Sequence, residues 1–154
     1  MVRRDRWFVT HYPGCIIVRE SLSLSQRGHP LVSARIQAAG PTQLAISVIT
    51  VEEQLRGWLA ALRNATTAQA RVTAYERLRM AVEYFASVTL LNYTASADTL
   101  VTDLRRQGVR IGTQDLRIAA VALAHGATLV TRNERDFRQV PGLTLVDWSV
   151  PAPT

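Results

Sequence analysis

The chain has 154 residues, a single cysteine, and 18 basic against 12 acidic residues, giving a net charge of +6 and a pI near 10.6. That length suits one domain, and 47% hydrophobic residues can fill its core. No apolar run reaches the roughly 18 residues of a membrane span, and no apolar stretch of leader length follows the basic start at residues 1–7. One cysteine excludes an internal disulfide and fits a reducing, cytoplasmic setting. All 18 basic residues are arginine. Arginine forks pair bidentately with phosphate, and a basic domain attracts nucleic acid without regard to sequence. An acidic protein partner fits the same charge.

In chain order, residues 1–14 lack periodicity and read as a loose extension ending in the turn signal Pro13-Gly14. Residues 15–18, CIIV, form a short apolar run, read as a buried first strand. Pro30 opens a helix over residues 31–39, which Gly40-Pro41 ends. A second strand is expected over residues 44–49, LAISVI, followed by a helix from Thr50 carrying Leu55, Leu59 and Leu62. Ala70, Ala74, Leu78, Val82 and Phe85 recur at helical spacing and predict one buried face of a helix over residues 67–86. A strand over 88–91, a helix over 95–106, a helix over 115–124 and a strand over 127–131 follow. A polar loop, a turn over 137–141 and a last strand over 143–146 precede the tail at 149–154. Strands alternating with helices imply parallel crossovers and helices on both faces of a sheet, so residues 15–148 are read as one α/β domain.

Acids and amides cluster at the predicted junctions. Glu53 follows the second strand, Asp115 opens a helix, and Asn133 and Asp136 follow a later strand. Oxygen ligands suit a hard cation, and Mg²⁺ is commonly held by one or two carboxylates plus water and substrate phosphate. Acids from several strand ends, gathered at one edge, suit metal-assisted phosphodiester cleavage. Each has a structural alternative. Thr50-x-x-Glu53 fits a capping box. Asp115 suits the positive end of a helix. Asn133 and Asp136 are good turn residues. Glu52 is expected to face solvent. His29 and His125 have no ligand partners at zinc spacing.

Residues 45–57, AISVITVEEQLRG, and 111–148, beginning IGTQDLRIAA and containing TRNERDF, resemble PIN domains, in particular VapC-type toxins of bacterial toxin–antitoxin pairs. The resemblance extends from Gly28 to Trp148. It implies a three-layer α/β/α fold with a central parallel sheet and a helical hairpin. It also implies a Mg²⁺- or Mn²⁺-dependent endoribonuclease acting on tRNA, rRNA or mRNA, dimeric and silenced by a cognate antitoxin. Carried over, Glu53 and Asp115 match two of the family's acids, Asn133 matches a position that is Asp or Asn, and Asp136 is the acid beside Phe137. Thr131 matches the small hydroxyl residue before them.

The first strand departs from the family pattern. There the family runs into L-D-T-D or L-D-T-N, whereas Val18 takes the place of the first Asp and Glu20 that of the second acid or amide. Three readings follow: a degenerate toxin that binds metal weakly, a site in which Glu20 supplies the missing carboxylate, or a shifted reading frame before about Ser21. An interaction module without catalysis is the competing function. The helical hairpin at residues 51–85, with Arg56, Arg63, Arg71 and Arg77, is the expected contact surface for RNA or a partner.

Overall fold

The computed structural model describes residues 14–17 and 27–151. Among these, five strands form one parallel sheet in the order β3-β2-β1-β4-β5. The strands are β1 (Cys15–Ile17), β2 (Leu44–Ser47), β3 (Thr89–Leu91), β4 (Thr128–Val130) and β5 (Leu145–Val146). The helices between them are α1 (Pro30–Ala39), α2 (Val48–Arg63), α3 (Ala68–Ser87), α4 (Ala95–Arg106), α5 (Thr113–His125) and the short α6 (Glu134–Phe137). Gly14, placed in the extension by sequence, belongs to the sheet margin: its carbonyl accepts from Thr128 N at 3.0 Å.

Neighbouring strand residues point to opposite faces. Ala45 and Leu91 join a core with Leu104, Leu116, Ile118 and Phe137, contributed by α4, α5 and α6. Ile46 and Leu90 join a second cluster with Phe85, Ile36 and Leu55, from α3, α1 and α2. Two clusters on two faces make the three layers that the sequence implied.

Several assignments differ from expectation. β2 stops at Ser47 because Ser47 is itself a helix cap, its Oγ accepting from Thr50 N at 3.1 Å. A buried helix start and a buried strand share the same apolar run, and periodicity does not separate them. α3 buries Ala74 and Phe85 with Ala81 packed beside them, whereas Val82 is 54% exposed. A step of four residues drifts off a stripe of period 3.6. Residues 134–137, read as loop and turn, form α6. The last strand is two residues long, not four.

Both described histidines are structural. His29 caps α1, accepting from Val32 N through Nδ1 at 3.4 Å, with Pro30 opening the helix as expected. His125, 3% exposed, donates from Nδ1 to the Val121 carbonyl at 2.9 Å. Ser149, in the expected tail, is tied to Asp147 Oδ1 by its N–H and its hydroxyl, both at 2.7 Å.

Candidate functional site

The sheet order places β1 at the centre, with β2 and β3 added on one side and β4 and β5 on the other. In open parallel sheets, ligands bind beyond the carboxyl ends of the strands where the order reverses, here at β1 and β4. α2 begins at the carboxyl end of β2. α5 runs back to the start of β4, so its own N-terminus lies at the same carboxyl edge. Each helix points the positive end of its dipole there.

Ser47, fully buried, fixes the start of α2, and its Oγ also pairs with the buried Thr50 Oγ1 at 3.1 Å. Thr50 is therefore the third residue of the helix rather than its cap. The capping box expected for Thr50 and Glu53 needs Thr50 at the cap, and Ser47 holds that place, with the Thr50 N–H donating to it. Glu53 is half-buried and follows Ile49 and Thr50 on the inward stripe, whereas Glu52 is exposed as expected. Asp115 lies in the first turn of α5, and its Oδ2 is 3.6 Å from where a Cβ on Gly112 would stand. Gly112 caps α5 without a side-chain hydrogen bond.

The two helix starts are joined directly. Gln114 Nε2 donates to Glu52 Oε2 at 2.9 Å, and Gln114 Oε1 accepts from Arg117 Nη1 at 2.9 Å. Arg56 pairs with the other oxygen of Glu52. The Gln114 hydrogen bond is the main cause that holds the Glu52 carboxyl below its ordinary value, with Arg56 adding to it. Beside this link, Tyr93 donates to Asp98 Oδ1 at 2.7 Å, and burial, helped by that bond, raises the Tyr93 hydroxyl above its usual value.

At the carboxyl end of β4, buried Thr131 receives Asn133 N on its hydroxyl at 3.0 Å. Asn133 Nδ2 donates to Asp136 Oδ2 at 3.1 Å, so the amide oxygen of Asn133 is the donor atom left for a cation. Glu20 and Val18 lie outside the described residues. Among the described residues, no group of three or more acids, histidines or cysteines stands close enough together to hold a metal. Of the ligands expected from sequence, Glu53, Asp115 and Asn133 belong to elements that meet at this edge, and Glu20 lies outside the described residues. The donors at this edge are all oxygens, two of them carboxylates at adjoining helix starts. That set fits a hard dication held by few protein ligands, with water completing the shell.

An apolar cavity of about 310 Å³ lies at the opposite edge, lined by Ile36, Gly40, Pro41, Leu44, Tyr84 and Val88. It is remote from the acids. On the hairpin, Arg56, Arg63, Arg71 and Arg77 are exposed as expected, but Arg77 also lies over the Trp58 ring at 5.9 Å and ties α3 to α2.

The sequence pattern of the PIN domain matches residues 22–143. The chain belongs to the PIN-domain family. Within it the resemblance is to the VapC type. Ribonuclease VapC1 of Haemophilus influenzae is 30% identical over 120 residues, covering 77% of this chain and 85% of that protein. Ribonuclease VapC2 of Rickettsia felis is 47% identical over 49 residues, and there the chain spans only 37% of the relative's length. In fold, the chain superposes on a DNA-bound VapBC from Salmonella typhimurium with a TM-score of 0.71 at 24% identity, covering 88% of this chain and 98% of that one. The PIN match begins at Leu22, so Val18 and Glu20 lie outside it.

Proposed function

We propose that this PIN domain is a VapC-like toxin, the ribonuclease partner of an antitoxin, and that Val18 leaves it with weak Mg²⁺ or Mn²⁺ binding and impaired cleavage. The observation that carries the reading is the junction of α2 and α5, which brings the helix starts bearing Glu53 and Asp115 to the carboxyl edge of the sheet. Glu53, Asp115 and the amide oxygen of Asn133 are the residues that would hold the ion, with Glu20 as a further candidate. When bound, a dication supplies an activated water and offsets charge on the leaving oxygen. The protein's own residues position it. Thr131 orients the Asn133 backbone, and Asp136 orients the Asn133 amide. Exposed arginines offer phosphate contacts on a chain of net charge +6.

The relatives carry the name ribonuclease, and the structural neighbours are toxin–antitoxin complexes, which supports both an RNA substrate and an antitoxin partner here. A homodimer and a cytoplasmic location are part of the same proposal. Among the described residues, no helix is long and apolar enough to cross a membrane. The second reading, a PIN-fold interaction module without catalysis, is favoured by Val18 standing where the family carries its first Asp.

The test is calorimetric Mn²⁺ titration with RNA cleavage measured alongside. Weak binding and slow cleavage are expected, both lost in Glu53→Gln and Asp115→Asn. Val18→Asp is expected to raise affinity at least about tenfold, the scale of a restored interaction of 1.4 kcal/mol. Cleavage that persists unchanged in Glu53→Gln and Asp115→Asn would sink the metal-site reading. No cleavage even with Val18→Asp, alongside retained antitoxin binding, would favour the interaction module.

A further inference from the structure

Glu52 and Glu53 are consecutive in α2, and Gln114 and Asp115 are consecutive in α5. The bond from Gln114 Nε2 to Glu52 Oε2 therefore joins the immediate neighbours of the two acids, across 62 residues of sequence. Its geometry is determined from both ends. Arg117 donates to Gln114 Oε1, so the amide nitrogen is the end that faces Glu52. Arg56 takes Glu52 Oε1 and leaves Oε2 for Gln114. Glu52 is 44% exposed at its side chain, and an exposed bond of this kind adds little to stability. What it does provide is a direct link between the two helix starts.

We propose that Gln114 and Glu52 form a clamp between α5 and α2 and act as positioning residues that hold Glu53 and Asp115 at the separation a dication needs. The proposal rests on the reading of Glu53 and Asp115 as ligands. Neither clamp residue is among those that would hold the ion. Partners outside a metal's own ligands commonly change affinity by about 10–100-fold, because a ligand displaced by a fraction of its bond length no longer closes the site. The clamp also constrains which substitutions are tolerated. A carboxylate at position 114 would face the carboxylate of Glu52 and push the helix starts apart. Exchanging the two residues would rebuild the bond in reverse, with the same net charge.

The experiment uses the full chain and its variants Gln114→Ala, Gln114→Glu and the swapped pair Glu52→Gln with Gln114→Glu. Mn²⁺ affinity is measured by calorimetry, and amide hydrogen exchange is read over residues 52–56 and 113–117. In Gln114→Ala, Mn²⁺ binding is expected to weaken at least about tenfold, while the melting temperature moves by less than about 2 °C. Gln114→Glu should be worse, and the swapped pair should recover most of the affinity. Affinity within about twofold of the parent in Gln114→Ala, or no recovery in the swapped pair, overturns the clamp. If the parent chain takes up no Mn²⁺, the ligand reading fails, and exchange then decides the clamp separately. Faster exchange at both helix starts in Gln114→Ala, reversed in the swapped pair, supports it; unchanged exchange overturns it.

Discussion

Ser47 ends β2 and caps α2 with one hydroxyl, so the first turn of α2, and with it the place of Glu53, depends on a side chain that is 0% exposed. Ser47→Ala removes the acceptor for Thr50 N and the hydroxyl partner of Thr50 Oγ1. Loss of a cap costs about 1 kcal/mol, and withdrawing a partner from a buried polar group costs about 1–3 kcal/mol. The expected loss is about 1–2 kcal/mol, read as a fall of about 2–8 °C in melting temperature for a domain of this size. Ser47→Thr keeps the acceptor and should fall less. Equal melting temperatures for the parent and Ser47→Ala would show that the cap does not hold this helix start. By contrast, the exposed pair of Arg79 and Glu83, at 65% and 62% side-chain exposure, is of a kind that contributes about 1 kcal/mol or less.

Among the elements, α3 is unusual for its uncovered apolar residues. Val72, Tyr75, Met80 and Val82 are all more than half exposed, while Ala74 and Phe85 face the core. Apolar residues gathered on one solvent-facing helix are the kind of surface an association uses, and the hairpin is proposed as the partner-binding element on that ground. Tyr75→Glu together with Val82→Glu is expected to leave thermal stability within about 0.5 kcal/mol, as surface changes do. The same pair should weaken antitoxin or self-association by tenfold or more, since each large apolar side chain contributes about 1.5–3 kcal/mol when covered. Analytical ultracentrifugation and a pull-down with the co-expressed antitoxin measure this. Undiminished association by both would place the contact elsewhere.

How much of each element was legible follows its physics. The α3 core face could be read only in part: Ala74 and Phe85 are buried as expected, whereas Ala70 and Val82 are exposed, because steps of four drift off a period of 3.6. The junction of β2 and α2 could not, because the cap serine sits inside an uninterrupted apolar run, where strand and buried helix look alike. The place of Asp115 at a helix start was legible from the sequence, and the roles proposed for Glu53 and Asp115 rest on family resemblance. The bond between Gln114 and Glu52 was not, because nothing local announces a pairing across 62 residues. α6 was missed because four residues, ERDF, are too few to show a period.

At the scale of the whole molecule, the absence of lysine changes how the protein meets alkali. With no lysine in the chain, the alkaline range turns on tyrosines whose surroundings shift them. Burial raises Tyr84, and burial followed by the bond to Asp98 raises Tyr93. A raised tyrosine keeps its proton in the folded state where the unfolded chain has lost it. The folded state then binds more protons, and stability declines as pH rises. The contribution is therefore fully present below the unfolded value near 10 and is lost as pH climbs through the higher folded values. The urea midpoint is expected to be nearly flat from about pH 8 to 9 and to fall above about pH 10. Tyr84→Phe with Tyr93→Phe should flatten that fall, because phenylalanine fills the same space without a proton to release. Lysine deprotonation cannot account for a residual slope in a chain that has no lysine. An alkaline decline just as steep in the double variant would assign it to the backbone and the remaining groups, and would show that burial of these two rings does not couple folding to pH.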